Sequence, residues 1–169
     1  MEITCMATIA VIYGSDTGNT RRISEIIAAQ LKADCLDVAD CSADSLTDYE
    51  MLIMGAPTVN QGELQPDWDY FMPDLEDADL NGIRVALFGL GDQKEYGDTF
   101  VDALDNLAEA VEQSGAELVG QWPVEGYEFT ESRAVRGNHF VGLALDEDNQ
   151  PELTGQRLQQ WLESMNLGN

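Results

Sequence analysis

Short apolar runs alternate along the chain with segments in which apolar residues recur every three or four positions. The runs, which suit strands covered on both faces of a sheet, are Thr8–Tyr13, Met51–Ala56 and Ile83–Phe88. Helical spacing, which gives a helix one buried face, is clearest at Ile23, Ile26, Ile27 and Leu31. A further strand is expected near 35–38. This order of elements predicts βαβ units, and therefore a parallel sheet with helices on both of its faces.

The second half of the chain continues this pattern up to the expected fifth strand. Apolar residues repeat at helical spacing from Phe100 to Val111, and Gly115 is a suitable residue to end that helix. Glu117–Trp122 is the expected fifth strand, but an irregular stretch follows before the apolar run Phe140–Leu145 and a last helix. The irregular stretch resembles an insertion that splits the strand. We therefore predict an α/β fold in which residues 1–169 form one domain around a doubly wound, five-stranded parallel sheet.

The segment between the first strand and the first helix has the composition of a phosphate-binding loop. It reads Gly14-Ser15-Asp16-Thr17-Gly18-Asn19-Thr20, so backbone N–H groups and hydroxyls converge at the N-terminus of the helix. No lysine follows Gly18, as a P-loop NTPase would require, and the dinucleotide pattern GxGxxG is missing. A single terminal phosphate monoester remains as the expected ligand. The alternative is that these polar residues only cap the helix and form a turn.

The net charge of the chain limits the classes of macromolecule and surface that it is expected to bind. The chain carries 32 acidic and 8 basic residues, a formal net charge of -24. Such a field repels nucleic acid and anionic membranes, and it attracts basic protein partners. The alternative explanation is that the acidity serves solubility or adaptation to salt. Met1–Ala7 has no basic n-region and no apolar run approaches the length of a membrane helix, so we expect a cytoplasmic protein with no membrane segment.

Metal-binding and hydrolytic functions find little support in the sequence. Cys5, Cys35 and Cys41 are odd in number and lack the spacing of a zinc site or of a disulfide framework. His139 is the only histidine, and we interpret it as a hydrogen-bonded loop residue. We therefore expect no metal site.

Two later segments, together with the first loop, carry a resemblance to a known family. The first is Gly55-Ala56-Pro57-Thr58-Val59-Asn60-Gln61-Gly62-Glu63-Leu64-Gln65, followed by Asp67-Trp68-Asp69. The second is Phe88-Gly89-Leu90-Gly91-Asp92-Gln93, followed by Tyr96. These segments, Ser15–Thr20 and the later stretches Gly126–Phe129 and Phe140–Asp148 are similar in order and spacing to flavodoxins of the long-chain type. The resemblance covers essentially the whole chain.

The resemblance implies a fold, a cofactor and a function. The implied fold is a flavodoxin-like sheet of strand order 2-1-3-4-5 with the fifth strand interrupted by an insertion. The implied function is that of a monomeric, low-potential one-electron carrier that binds FMN non-covalently. It would shuttle electrons between a basic donor, of the flavodoxin/ferredoxin-NADP reductase type, and acceptor proteins. The implied FMN-binding residues are Ser15, Asp16, Thr17, Gly18, Asn19, Thr20, Pro57, Thr58, Val59, Asn60, Gln61, Gly62, Leu90, Gly91, Asp92, Gln93, Tyr96 and Asp148.

The implied contacts to the flavin ring depart from the family pattern at one position. Tyr96 is implied to stack on one face of the ring, whereas Val59 stands where many flavodoxins carry an aromatic residue. Either FMN is held more weakly, or another side chain such as Trp68 covers that face, although Trp68 suits the core better. The peptide that joins Asn60 and Gln61 is implied to change its orientation as the flavin is reduced. The alternative is an ordinary tight turn.

Two other functions suit the expected topology less well. A flavodoxin-fold NAD(P)H-dependent FMN or quinone reductase would need cations for the dinucleotide phosphates, and Arg21 and Arg22 are expected to serve the FMN site instead. A phosphoacceptor receiver domain would need acidic residues after its first strand and a lysine after its fifth. Tyr13-Gly14-Ser15 supplies no acid, and no lysine occurs after Lys94.

Overall fold

Strands and helices alternate through most of the structure, a computed structural model that describes residues 8–14, 18–59 and 62–167. The strands are β1 (Ile9–Tyr13), β2 (Asp34–Asp37), β3 (Met51–Val59), β4 (Glu63–Leu64), β5 (Arg84–Leu90), β6 (Glu117–Val119), β7 (Trp122–Pro123), β8 (Val135–Arg136), β9 (His139–Phe140) and β10 (Leu143–Leu145). The α-helices are α1 (Asn19–Leu31), α2 (Ala43–Leu46), α3 (Pro66–Asp77), α4 (Ala103–Gln113) and α5 (Thr154–Ser164). None of the helices within the described ranges combines the length and the apolarity that crossing a bilayer requires.

The central sheet has the strand order β10-β5-β3-β1-β2, and neighbours along this path run parallel. Two strands, β6 and β10, share the fifth position of the sheet, next to β5. β6 pairs with Arg84–Ala86 in the first half of β5, whereas β10 pairs with Phe88–Leu90 in the second half. β4 forms a short antiparallel pair with the end of β3. This arrangement confirms the predicted doubly wound parallel sheet and the interruption of its fifth strand.

Helices cover both faces of the sheet with apolar side chains. On one face, buried residues of α1 and α5 pack with residues of β1, β3, β5 and β10; they include Ile23, Ile27, Leu158, Trp161 and Leu162. On the other face, α3 and α4 supply a second buried cluster that includes Trp68, Phe71, Leu75, Leu104 and Leu107. Because both faces are covered, the central strands are apolar at successive positions instead of alternating with polar residues.

Two glycines allow close packing within the sheet. A Cβ at Gly55 would lie 2.1 Å from the ring of Phe88, and a Cβ at Gly142 would lie 2.2 Å from the carbonyl oxygen of Leu87. The Phe88 ring belongs to a side chain, whereas the Leu87 oxygen belongs to the backbone of β5. The entry of β10 into the sheet therefore depends on the absence of a side chain at Gly142.

The insertion between β6 and β10 is partly ordered by strands of its own. β7, β9 and β8 form an antiparallel sheet in that order. Within the insertion, Tyr127, Phe129 and Phe140 pack around Phe100, with ring centroids 5.5 to 5.8 Å from the Phe100 ring. His139 lies in β9 and is exposed, so its interpretation as a loop residue was wrong.

The boundaries of two elements differ from the predicted ones for identifiable reasons. β3 continues three residues past Ala56, because Pro57 pairs with Leu90 and the next two residues pair with β4. The helical spacing that starts at Phe100 becomes a helix only at Ala103, because Val101 has a φ of 48°. A positive φ is unusual for a β-branched residue and interrupts a right-handed helix.

Gly142→Ala should lower the free energy of unfolding by about 1–3 kcal/mol, because the new methyl group has no space beside the Leu87 carbonyl. Gly155→Ala is the matched control. Gly155 lies in α5 with nothing within 4 Å of an added Cβ, so this change should raise stability by about 0.5–1 kcal/mol. Urea unfolding of both variants measures the difference. Wild-type stability of Gly142→Ala would contradict the packing described.

Candidate functional site

A cavity of about 290 Å³ opens at the carboxyl edge of the sheet. In doubly wound sheets this edge is where ligands bind. The walls come from the start of α1, the end of β3, the segment after β5 and the segment after β10. The lining residues are Asn19, Thr20, Pro57, Thr58, Leu90, Gly91, Asp92, Glu95, Tyr96, Glu147 and Asp148.

The N-terminus of α1 forms one end of the cavity, where Asn19 and Thr20 line it. Gly18 is the N-cap, with a φ of 93° that suits a residue without a side chain. The first turn contains Arg21 and Arg22 and no acidic residue. Because a helix N-terminus carries a partial positive charge, acidic side chains are the usual choice there. The reversed charge pattern, in a chain with 32 acidic and 8 basic residues, suits a site for an external anion.

The end of β3 forms a second wall and is tied to α4. The backbone N–H of Ala103, at the start of α4, donates a hydrogen bond of 3.1 Å to the hydroxyl oxygen of Thr58. Past β3, Gly62 has a φ of 92°, and a Cβ there would lie 3.1 Å from a carboxylate oxygen of Asp102. Gly62 itself does not line the cavity and instead borders a separate surface cleft beside Tyr70.

The segment after β5 forms the third wall and presents an aromatic ring. The N–H of Gly91 donates to the carbonyl of Leu145 at 3.0 Å, which joins this segment to the end of β10. The N–H of Tyr96 donates to the carbonyl of Asp92 at 2.9 Å, so the chain turns back on itself between them. Tyr96 is 43% exposed, although large aromatic side chains are usually more buried. An exposed ring at the mouth of a cavity is available to a planar ligand.

Four carboxylates, those of Asp92, Glu95, Glu147 and Asp148, line the cavity, and the environments of Asp92 and Asp148 differ. Burial and repulsion from Asp92 raise the pKa of the Asp148 carboxyl above its ordinary value. Burial alone would also raise the pKa of Asp92. Hydrogen bonds from the N–H of Glu95 and from the side chain of Asn149 outweigh that effect and hold the pKa of Asp92 below its ordinary value.

One ion pair connects the anion end of the cavity with the opposite wall. Arg22, in the first turn of α1, pairs with one carboxylate oxygen of Glu147. The hydroxyl of Thr154, the first residue of α5, donates to the other oxygen at 2.5 Å. Glu147 is thus fixed at both oxygens while it lines the cavity.

The cavity brings together half of the residues implied by the resemblance: Asn19, Thr20, Pro57, Thr58, Leu90, Gly91, Asp92, Tyr96 and Asp148. Gly18 and Val59 lie next to this set in the chain. Ser15, Asp16, Thr17, Asn60 and Gln61 lie outside the described residues, so the first and second loops are described only in part.

Two side chains that were considered as contacts to the cofactor are buried within the protein. Gln93 is only 3% exposed, and its amide donates to Asp146 at 2.8 Å and accepts from the N–H of Glu128 at 2.5 Å. Its side chain therefore serves the protein interior. Trp68 is fully buried and donates to the carbonyl of Gly55 at 2.9 Å, which confirms its place in the core.

Sequence reasoning missed Glu95 and Glu147 as lining residues. Each stands beside a residue that was identified, Tyr96 in one case and Asp148 in the other. The acidic run 146–148 was a usable signal, but the sequence does not show which of three consecutive carboxylates faces the cavity.

Comparisons with known proteins agree with this geometry. A family model described as Flavodoxin matches residues 11–161. Flavodoxin 1 of Salmonella typhimurium is 47% identical over 164 residues, which cover 95% of this chain and 93% of that protein. A flavodoxin of Synechococcus elongatus is 46% identical over 164 residues, covering 95% and 96% of the two chains. The solved structure of a Fusobacterium nucleatum flavodoxin bound to flavin mononucleotide has a TM-score of 0.89 at 32% identity, covering 95% of this chain and 98% of that one.

Asp92→Asn and Asp148→Asn should shift stability in opposite directions at pH 7. The depressed pKa of Asp92 means that its carboxylate stabilises the fold above its ordinary pKa, and that this contribution is lost as pH falls through the folded pKa. Asp92→Asn should therefore cost about 1 kcal/mol or less at pH 7, since the carboxylate is partly open to solvent. Asp148 has a raised pKa, so folding penalises its charged form, but its side chain is exposed and water screens the repulsion, so Asp148→Asn should gain only about 0.2 kcal/mol.

Urea unfolding of the cofactor-free variants between pH 3 and pH 7 measures both effects. The gain from Asp148→Asn should disappear as pH falls below the ordinary pKa of an aspartate, because the wild-type carboxyl is then neutral in both the folded and the unfolded states. A change of the same sign in the free energy of unfolding of the two variants at pH 7 would contradict the different environments described for the two carboxylates.

Proposed function

This chain belongs to the flavodoxin family, and we propose that the cavity at the carboxyl edge of its sheet binds FMN, which makes the protein an electron carrier. The observation that carries this proposal is the first turn of α1. It holds two arginines and no acid in a strongly acidic chain, at the helix end that attracts anions. A phosphate monoester is the group that this turn suits.

The remaining walls suit the other end of the same ligand. A planar ring requires flat apolar or aromatic contacts, and Pro57, Leu90 and Tyr96 supply them at the cavity. Gly91 adds backbone without a side chain, which permits a ring to lie close to the chain. The proposed FMN contacts for the phosphate are Ser15, Thr17, Gly18, Asn19 and Thr20, together with Asp16, whose carboxylate is expected to point away from the anion. The proposed contacts for the ring are Pro57, Thr58, Val59, Asn60, Gln61, Gly62, Leu90, Gly91, Asp92, Tyr96 and Asp148. We propose that the Gln93 side chain affects FMN binding indirectly, without contacting the cofactor.

When bound, FMN supplies the one-electron chemistry, and the protein sets the electrostatic cost of that chemistry. Asp92, Glu95, Glu147 and Asp148 line the cavity, so any further negative charge placed there is repelled at short range. A ligand that becomes more negative on reduction is then harder to reduce. The carboxylates therefore support a carrier of low potential.

The protein transfers electrons and is not itself an enzyme, and a flavodoxin-fold NAD(P)H-dependent reductase is not favoured. A reductase would need cations for the phosphates of the dinucleotide. Arg21 is paired with Glu25 at 3.4 Å, and Arg22 is paired with Glu147. Both arginines belong to the turn proposed to hold the FMN phosphate, so they do not supply a separate phosphate site for a dinucleotide.

An electron carrier exchanges electrons with redox partners, and the charge of this chain favours basic ones. We propose a donor of the flavodoxin/ferredoxin-NADP reductase type, no nucleic acid or membrane partner, and a monomeric, single-domain protein in the cytoplasm. The net charge of -24 supports this choice of partner, because opposite charges accelerate encounter and fix orientation.

Tyr96→Ala should weaken FMN binding by about tenfold or more, because a ring contact is lost at the cavity mouth. Tyr70→Ala is the matched control, since Tyr70 is 81% exposed and lies outside the cavity. Quenching of flavin fluorescence during titration of the cofactor-free protein gives both dissociation constants. No binding of FMN by the wild-type chain would overturn the proposed function, and equal constants for Tyr96→Ala and wild type would overturn the placement of the ring.

Electron transfer to a basic protein should slow as ionic strength rises, by about tenfold between low salt and 0.5 M salt. Stopped-flow oxidation of the reduced holoprotein by cytochrome c, a basic haem protein, measures this rate. Ferricyanide, an anionic acceptor, is the control, and its rate should rise with salt because like charges are then screened. Salt-independent rates with both acceptors would exclude a steering role for the acidic surface.

A further inference from the structure

Asp146 is a buried carboxylate beside the cavity that does not line it. It follows β10 directly and is 0% exposed. One of its oxygens accepts hydrogen bonds from the backbone N–H of Gln93 at 3.1 Å, from the Gln93 amide at 2.8 Å and from the Asn149 amide at 2.8 Å. The other oxygen accepts from the N–H groups of Asp148 at 3.1 Å and of Asn149 at 2.9 Å. All of these donors are neutral.

These bonds join two walls of the cavity. Gln93 lies in the segment that carries Asp92 and Tyr96, and its backbone N–H and its side chain both reach Asp146. Asp148 and Asn149 belong to the segment after β10. The Asn149 amide nitrogen also donates to Asp92 at 2.7 Å, which closes the connection from the other side. A single carboxylate thus links the third wall to the fourth.

The same group reaches the insertion. The side-chain oxygen of Gln93 accepts a hydrogen bond from the N–H of Glu128, within the insertion, at 2.5 Å. Gln93 is therefore held at both ends of its amide, by Asp146 on one side and by the insertion on the other.

A buried carboxylate is a costly way to join two segments. Removing the group from water is unfavourable, and Asp92, Glu147 and Asp148 place further negative charge nearby. An apolar residue would pack at lower cost, but it would not fix the directions of several N–H groups. The arrangement is therefore suited to setting the geometry of the two segments, a role that a buried polar group can perform at the expense of stability.

We propose that Asp146 and Gln93 are positioning residues that hold the ring-binding half of the cavity in shape, without acting on the phosphate-binding half. The inference rests on the proposed function. The phosphate half is built from the start of α1, and one contact that links it to the segment after β10 is the ion pair of Arg22 with Glu147. That pair involves neither the Asp146 nor the Gln93 side chain, so either side chain can be changed without removing the ion pair.

Asp146→Asn keeps the size of the side chain but turns one acceptor oxygen into a donor that faces other donors. Gln93→Met keeps the length of the side chain and removes both amide contacts without changing charge. Each should weaken the binding of FMN and of riboflavin by the same factor, about tenfold to a hundredfold. Each should leave the affinity for inorganic phosphate, measured by its competition with FMN, unchanged. Asp48→Asn is the control, because Asp48 is exposed and precedes the amino end of β3.

Three ligands separate a positioning role from a general loss of structure. An equal fall in affinity for FMN, riboflavin and phosphate would overturn the proposal, because it would indicate damage to the whole site. Unchanged riboflavin binding in Gln93→Met, which removes no charge, would overturn it as well. If wild type fails to bind FMN, the proposed function fails. If wild type binds FMN and both variants bind it equally well, only the positioning role fails.

Partial recovery in a double variant would support the pairing directly. Asp146→Asn combined with Gln93→Glu reverses the donor and the acceptor of the side-chain hydrogen bond, and the introduced carboxylate keeps an oxygen for the N–H of Glu128. Riboflavin affinity should be higher in this double variant than in Asp146→Asn alone. Additive losses would contradict a direct contact between the two side chains.

Discussion

The site depends on one constraint, which is that the same edge of β5 pairs with two different strands. β6 occupies the first half of its edge and β10 the second half, so the chain must leave the sheet and return within one strand position. The return places the segment after β10 beside the segment after β5. Both segments then contribute walls to one cavity, and the residues that join them come from distant parts of the sequence. A continuous fifth strand would leave no room for the insertion that supports Gln93.

Charge is distributed so that the two ends of the cavity differ. The first turn of α1 has two arginines and no acidic residue, whereas the segment that carries Tyr96 contributes the carboxylates of Asp92 and Glu95 to the lining of the cavity. A ligand with an anionic end and a neutral planar end matches this gradient, and its orientation is then determined by electrostatics before any close contact forms. The excess of acid over the whole surface would oppose anion binding, so the local arrangement at α1 must be strong enough to outweigh it.

Periodicity predicted the sheet well, because apolar runs and helical spacing report burial directly. It also identified the three loops at the carboxyl edge, since these follow from the order of elements. Side-chain directions within loops have no such rule, and for this reason Glu147 was missed and the burial of the Gln93 side chain was not predicted. The start of α4 was displaced by Val101, whose positive φ leaves no trace in an apolar pattern. The burial of Asp146 could not be predicted either, because the sequence does not distinguish a buried aspartate from the exposed acidic residues beside it.

The position of β2 at the edge of the sheet has a consequence for the behaviour of the protein in concentrated solution. An exposed edge strand offers unpaired backbone groups to any other extended chain, which is a common route to aggregation. β2 is only four residues long and has an aspartate at each end, Asp34 and Asp37. Because the side chains of a strand point above and below the sheet, these two carboxylates flank the edge and disfavour a close-packed incoming strand. The short, acidic edge therefore protects the open side of the sheet from strand addition.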